Sequence, residues 1–402
     1  MNVPKLRFKE FNDKYNITKV SEIIDVIDGD RGNNYPKAND FYDSEFCLFL
    51  NAGNVTKNGF NFKNNQFITK EKDKKLRKGK LLINDVVLTT RGTVGNVAWF
   101  NEKTPYKNIR INSGMVINRI KENGHLLPEY LYSYMKSPVF ENQVNKMNYG
   151  SAQPQLTVSG INKFNIQYPT INEQKKVSTI MLLLDKKIEL QSKKIEDLKL
   201  FKKGLLIKEF NNKKSSNKLK ECFDFGKAGG TPKSTNKDYY NGYIPFLSIS
   251  DMTTQGKYIY YTDKSITEAG LNNSTAWLVP KNSIIISMYA SYGLVSINKI
   301  DLTTSQAMFN MVINKNYVVE YIYYYLYYLY ISNFYNSIVS TGTQSNLNAE
   351  QIKLLDIYIP CYNEQKRIYE QFSKIDFKIN LEQKKINELL YLKKGLMQNM
   401  FV

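Results

Sequence analysis

The chain states the same pattern twice. Asn172-Glu173-Gln174-Lys175 opens a lysine-rich stretch that runs to Lys202-Lys203-Gly204-Leu205. Asn363-Glu364-Gln365-Lys366 opens another that runs to Lys393-Lys394-Gly395-Leu396, and every position lies 191 residues on from its counterpart. The register also holds outside the two stretches, where Glu129-Tyr130-Leu131-Tyr132 matches Glu320-Tyr321-Ile322-Tyr323. Chance similarity between two lysine-rich helices would not keep that upstream register. A period this long excludes a solenoid, whose units are far shorter. The molecule is therefore a duplication of a two-part unit. Lys9-Glu10-Phe11-Asn12 also echoes Lys208-Glu209-Phe210-Asn211, so the chain begins where a repeat unit ends. The expectation is a ring of domain, helix, domain, helix, with neighbouring termini and two copies about a pseudo-twofold axis.

Within the repeated stretches, Met181, Leu184, Ile188, Gln191, Ile195 and Leu198 fall at alternating three- and four-residue steps. Phe372, Ile375, Ile379, Glu382, Ile386 and Leu389 repeat that register. This is a heptad seam with one polar layer in each helix. A helix of about 40 residues is roughly 60 Å long. Two such helices in a closed ring pair antiparallel and act as a spacer. Residues 17–168 read as mixed α/β, with strands at Glu45–Leu50, Asp85–Thr90 and Val94–Phe100 between Gly/Asn turns. A helix over Glu129–Met147 and its twin over Glu320–Ile338 follow. The tyrosine run of the twin offers stacking surfaces for bases, but its helical spacing favours core and rim packing. Lys213–Lys218 reads as a linker. The expected divisions are a first domain at 1–168, a helical spacer at 169–212, a second domain at 213–359 and a second spacer at 360–402.

A chain of 402 residues with 56 Lys and Arg against 37 Asp and Glu carries a formal charge of +19. Such an excess draws polyanions, nucleic acid first, although a solvated basic surface is the plain alternative. Cys47, Cys222 and Cys361 are scattered, and His125 is the sole histidine. A zinc site, a disulfide framework and a histidine-based catalytic arrangement are therefore not expected. Gly226-Lys227-Ala228-Gly229-Gly230 lacks the Lys-Ser/Thr ending of a phosphate loop, and no dinucleotide fingerprint is present. Neither a signal peptide nor a membrane span is read from the sequence, which points to a cytoplasmic binder rather than a catalyst.

The order of these parts resembles the specificity (S) subunit of type I restriction-modification enzymes. The segments that carry the resemblance are Tyr168-Pro169-Thr170-Ile171-Asn172-Glu173-Gln174-Lys175 and Ile359-Pro360-Cys361-Tyr362-Asn363-Glu364-Gln365-Lys366. Each is preceded by a small-residue element, Gly150–Leu156 and Thr341–Leu347, read as shared scaffold. Asp28–Lys37 and Gly229–Lys233 with Ile244–Leu247 look like entries to target-recognition domains. The resemblance implies an α/β (α+β) fold in two pseudo-symmetric copies, separated by long helices in an antiparallel coiled coil. It further implies a non-catalytic subunit that reads a bipartite, asymmetric site on double-stranded DNA. Its implied partners are two methyltransferase (M) subunits and two restriction/translocase (R) subunits. No cofactor is expected on this chain; S-adenosylmethionine, ATP and Mg²⁺ belong to the partners. The alternatives are the specificity chain of a related restriction system with a different partner, a standalone sequence-specific DNA-binding regulator and a Mg²⁺-dependent nuclease.

Two readers on one face of B-DNA sit about one turn, roughly 34–36 Å, apart, a span that helices of this length can hold. Charge gives salt-sensitive affinity for phosphates, whereas discrimination requires side chains at base edges. In the first domain the candidates are Arg31 and Lys37, and Thr90, Arg91 and Thr93 after the Val86-Val87-Leu88 run. Arg91 suits guanine O6/N7 and equally suits the carbonyls of its own turn. In the second domain they are Thr231, Lys233, Ser248 and Ser250, and Ser287, Tyr289, Ser291 and Tyr292 after Ile284-Ile285-Ile286. Each of these residue types also closes turns. Lys186, Lys187, Lys193 and Lys194 form a charged face, solvated by default and otherwise facing phosphates or partner subunits. Leu182, Leu190, Leu200 and Leu381, outside the seam, are the candidates for docking the methyltransferase.

Overall fold

The computed structural model describes residues 3–122, 124–148, 155–211, 213–214, 217–289, 291–339 and 346–402. Most of the two small-residue elements, and Ser215 and Ser216 of the linker, lie outside the described residues. The chain divides into two compact units, Met1–Ser192 with Lys385–Val402, and Lys193–Lys384. Each unit takes one α/β domain and half of each long helix.

In the first unit the main sheet is built from β1 (Ile24–Asp28), β2 (Val86–Thr89), β3 (Val97–Trp99) and β4 (Met115–Ile120), in the order β1-β4-β2-β3. All its neighbours are antiparallel. The run Val86-Val87-Leu88 is buried on both faces, which is why it reads as continuous rather than alternating hydrophobicity. A smaller sheet joins Cys47–Phe49 to Phe67–Ile68 and, in parallel, to Ile109–Arg110. The helix expected over Glu129–Met147 is two helices, α1 (Pro128–Met135) and a second at Pro138–Asn148. Pro138 has no amide hydrogen and disfavours helical geometry in the residue before it, so the helix ends and restarts there.

The long helix α2 (Ile171–Phe210) begins in this unit. The second unit repeats the plan with β5 (Phe223–Ala228), β6 (Tyr258–Ile259), β7 (Ile284–Ser287), β8 (Val295–Asn298) and β9 (Met308–Ile313), in the order β5-β9-β7-β8-β6. Here α3 (Val319–Ile331) ends before Asn333, which takes a left-handed φ of 59° and leads into a short 3-10 turn. The expected continuous helix to Ile338 is therefore also broken. Asn serves as the terminator because its short polar side chain tolerates that conformation. Tyr321, Tyr323, Tyr324 and Tyr325 are buried, so the tyrosine run is core.

The second long helix, α4 (Tyr362–Met400), closes the chain. Within each unit the two helix halves run antiparallel. In the first, Asp185 pairs with Lys393, while Val177 and Met181 share a core with Met397, Met400 and Phe401. In the second, Lys194 reaches Glu382 at 2.8 Å and Lys202 reaches Asp376 at 2.5 Å. The seam residues Met181, Ile195, Phe372, Glu382 and Ile386 are buried. The Leu6 amide donates to the Asn399 carbonyl at 2.9 Å, which brings the start of the chain beside the end of α4.

The repeated Asn-Glu-Gln-Lys motif has a structural reason. The Gln174 carboxamide donates to the carbonyls of Pro169 and His125 and accepts from the Leu127 amide at 2.9 Å. Gln365 donates to the Pro360 carbonyl and accepts from the Val318 amide at 3.0 Å. Leu127 and Val318 are the residues that precede α1 and α3. One glutamine therefore satisfies the free amide at a helix start and ties that helix to the long one, in both units.

Candidate nucleic-acid interface

The tip of the β2–β3 hairpin is held by its own backbone. Thr89 Oγ1 accepts from the Asn96 amide at 2.9 Å and donates to the Thr93 carbonyl, and Gly95 at φ 94° lets its amide reach the Thr89 carbonyl at 3.0 Å. Thr90 is buried. Its amide binds the Gly114 carbonyl at 2.8 Å and its carbonyl receives the Leu156 amide at 3.0 Å. It anchors the tip and cannot touch a groove. Arg91 and Thr93 remain exposed on the tip. The Arg91 amide also binds the Gly114 carbonyl, and its guanidinium donates to Gln155 at 2.9 and 3.2 Å once that carboxamide is turned oxygen-first. Such an orientation follows from the donors it faces.

Arg31 approaches the same place from β1. Its guanidinium donates to the Ser113 carbonyl at 3.3 Å and pairs with Asp28 at 3.0 Å. Arg31 and Arg91 thus flank the Asn112–Gly114 turn. The chain can pass so close because a Cβ on Gly29 would lie 2.3 Å from the Asn112 carbonyl oxygen. Asp30, beside them, is buried and accepts from the Gly32 and Arg77 amides at 2.8 and 2.7 Å. Those bonds, Gly32 foremost, hold its carboxyl below the usual aspartate range, so the loop stays braced by an ionised group. Lys37 is exposed further along, where its amide binds Asp40.

The second unit builds the same tip from other residues. Ser287 is fully buried. Its hydroxyl donates to the Ser291 carbonyl at 2.6 Å and accepts from the Leu294 amide, as Thr89 does in the first unit. Like Thr90, it supports the tip rather than presenting itself. Met288 receives the Leu347 amide at 2.9 Å, in the way Thr90 receives Leu156. Tyr289 and Ser291 are exposed, the latter at φ 62°. Tyr292 is half-buried against the core and donates its hydroxyl to Asn336 at 2.8 Å.

Thr231 and Lys233 are exposed after β5, and the Thr231 hydroxyl bonds Gln306 in the turn before β9. That turn corresponds to Asn112–Gly114, and sequence reasoning missed both. Their only local signal is a polar cluster ahead of an apolar strand. Ser248 is half-buried and caps the helix Ile249–Gln255 through Asp251, whereas Ser250 is exposed on that helix. On the long helices Leu190, Leu200 and Leu381 are exposed, but Leu182 packs against the core of the first domain. Also exposed are Leu183, Phe201, Phe377, Tyr391 and Leu392. Tyr391 and Leu392 stand 191 positions after Leu200 and Phe201, so the duplication itself could have pointed to them.

The family model of the type I restriction modification DNA specificity domain matches residues 12–200 and again 211–391. The chain belongs to this family. Similar proteins include the MjaIX specificity subunit of Methanocaldococcus jannaschii, 31% identical over 176 residues, 43% of this chain and 40% of that protein. The HindI specificity subunit of Haemophilus influenzae is 28% identical over 178 residues, 42% of this chain and 38% of that protein. These two alignments span about two fifths of the length of the relatives. A crystal structure of the S subunit from M. genitalium shares the fold at TM-score 0.59 and 16% identity, covering 100% of this chain and 99% of that one. A chain from the structural work on assembly and conformational transition of a type I system matches at TM-score 0.60 and 16% identity, 98% of each. Duplicated α/β specificity domains on long helices are therefore the architecture of this family. Among the described residues no helix is long and apolar enough to cross a membrane, and no cluster of metal-binding side chains occurs.

Proposed function

We propose that this chain is the DNA-reading subunit of a cytoplasmic type I restriction-modification complex, with each domain reading one half of a split, asymmetric site. The observation that carries this reading is a shared hairpin frame with unlike tips: Arg91 and Thr93 in one unit, Tyr289 and Ser291 in the other. Arg31, Lys37 and Arg91 supply the first half, with bidentate pairing of arginine to guanine as the strongest discriminating contact. Thr231, Lys233, Tyr289 and Ser291 supply the second, together with Ser250 on its helix. Tyr292, tied to Asn336, braces the second tip, and Thr90, Ser287 and Ser248 hold turns. The excess of lysine adds affinity for phosphates without choosing a sequence.

The exposed apolar residues of the long helices, Leu190, Leu200 and Leu381 with Phe201 and Phe377, are the docking surface for two methyltransferase subunits. Exposed apolar patches of this kind mark partner surfaces. Two restriction/translocase subunits join the complex. S-adenosylmethionine, ATP and Mg²⁺ act on those partners, and this chain is not itself catalytic. The test is to co-purify the chain with an adenine methyltransferase subunit and map N6-methyladenine across host DNA. A single split motif modified in both halves is expected. Sequence-specific binding by the chain alone, with no association and no methylation, would favour a standalone regulator. Cleavage by the chain alone with Mg²⁺ would favour a nuclease.

A further inference from the structure

Each unit turns one aspartate of a long helix towards its domain, and the two aspartates occupy the same repeat position. Asp185 meets Lys393 and, at 3.4 Å, Lys136, whose ammonium also bonds the Tyr132 hydroxyl at 3.0 Å. Asp376 meets Lys202 at 2.5 Å, receives the Tyr324 hydroxyl at 2.6 Å and has Lys257 at 3.7 Å. The Lys257 ammonium in turn donates to the Tyr324 oxygen at 2.8 Å. A chain of donors therefore runs from Lys257 through Tyr324 to Asp376.

The second ammonium comes from different places in the two units. Lys136 follows α1, in the helical part that both domains share. Lys257 stands immediately before β6, in the segment where the domains differ most. Its ammonium lies over the rings of Tyr324, Tyr258, Tyr323 and Tyr369, at 4.2, 4.8, 5.4 and 5.5 Å. Lys299 and Glu320 complete the charged surroundings, 3.6 Å from each other.

Resting on the function proposed above, we infer that Lys257 is a positioning residue: it latches the sequence-reading part of the second domain onto the long helices through Tyr324 and Asp376. β6 pairs in parallel with β8, the outgoing strand of the hairpin that carries Tyr289 and Ser291. A shift at Lys257 therefore reaches that tip through one strand pairing. The latch is also sensitive to pH. Burial pushes the Lys257 ammonium down to about 8, against the raising pull of Asp376 and Glu320, with Lys202 and Lys299 also lowering it. The lowered value means that the latched state favours the neutral amine, so raising pH through it relieves the cost of burying the ammonium and strengthens the latch relative to the open state.

The test uses the full chain with its methyltransferase partner, on duplexes carrying the mapped motif or a one-base change in either half. Lys257→Met keeps the bulk without the charge, Lys257→Arg keeps the charge, and Lys136→Met is the control in the first unit. A one-base change is ordinarily rejected by about tenfold or more. Lys257→Met should lose most of that rejection in one half and none in the other, and Lys257→Arg should restore it. Wild type should keep or sharpen that rejection as pH rises from about 7 to about 9.5, the direction set by a lysine whose value is lowered in the latched state, while Lys257→Met shows no such change. Unaltered rejection in Lys257→Met, or rejection in that half that wild type loses as pH rises, would overturn the latch. Amide exchange at Tyr258–Ile259 gives a readout that needs no DNA: faster exchange in Lys257→Met supports the latch, and unchanged exchange refutes it. A wild-type chain that reads no split site would sink the proposed function and leave the exchange measurement to decide the latch.

Discussion

The two domains differ most between their matched small sheets. Cys47–Phe49 and Phe67–Ile68 bracket a two-residue hairpin, Val55–Thr56 with Gly59–Phe60. At the corresponding place, Tyr240–Leu247 and Lys264–Ile266 bracket the helix Ile249–Gln255 and the strand β6. On both sides the sequence returns to a threonine cap, Thr69 and Thr267, each accepting from a helix-start amide. The frame is kept by backbone-satisfying residues, while the insert exchanges a hairpin for a helix. Asn84 and Asn282, both at positive φ before the central hairpin, belong to the same preserved frame. The lesson is a division of labour: residues that close turns are shared, and residues that meet solvent are free to differ.

The interiors differ as well, and there the comparison breaks hardest. In the first domain Arg110 is buried with Asp73. Its Nε donates to the carboxylate at 2.5 Å, and its other nitrogens donate to the carbonyls of Lys78, Asp73 and Leu76. The corresponding strand of the second domain has neutral Thr303 and Thr304, with Thr304 accepting from buried Asn310. Arg110→Met leaves the buried Asp73 carboxylate to Lys80 alone, 2.5 Å away, and should cost the first unit about 3 kcal/mol. Amide exchange resolved by unit should show the loss there and leave the second unit alone. Acid should have the same selectivity. Burial raises the Asp73 carboxyl, but Lys80 and Arg110 outweigh it and the net shift is downward. A depressed carboxyl contributes stability above its unfolded value, about 3.9, and loses it as pH falls through the folded value. The first unit should therefore show an acid-labile component that Arg110→Met reduces, Lys80 keeping the rest.

The glutamines test what the units have in common. Gln174→Ala and Gln365→Ala each strand the amide at the start of a helix and should cost about 1–3 kcal/mol. The losses should be similar, one in each unit, by the same exchange measurement. Unequal losses would mean that the shared motif does different work in the two halves. The smallest effect on stability belongs to the helix surface. Phe377→Ser and Leu381→Ser remove exposed side chains and should leave stability within about 0.5 kcal/mol. They should nevertheless reduce the amount of methyltransferase that co-purifies.

Much of this frame was legible because duplication doubles every signal. The long helices, their polar-layered seam, the neighbouring termini and the buried tyrosines all follow from spacing and register. The helix breaks did not follow, since Pro138 and Asn333 sit inside otherwise continuous apolar patterns and act only through backbone geometry. The site was less legible. A threonine or serine at a strand end reads alike whether it faces DNA or its own turn, and the interior bonds of Thr90 and Ser287 appear only with the fold. Leu182 carries no mark in sequence that separates it from Leu190, yet it packs inward because the first domain covers it.

The central claim is that each domain reads its own half of one target. The most direct measurement is the methylation motif of the assembled complex carrying Arg91→Ala or Tyr289→Ala, mapped across the same DNA as wild type. Arg91→Ala should relax one half of the motif by about 1–3 kcal/mol at the base pair that the arginine reads, and Tyr289→Ala should relax only the other half. If either substitution weakened both halves equally, or neither altered the motif, the two-reader account would be wrong.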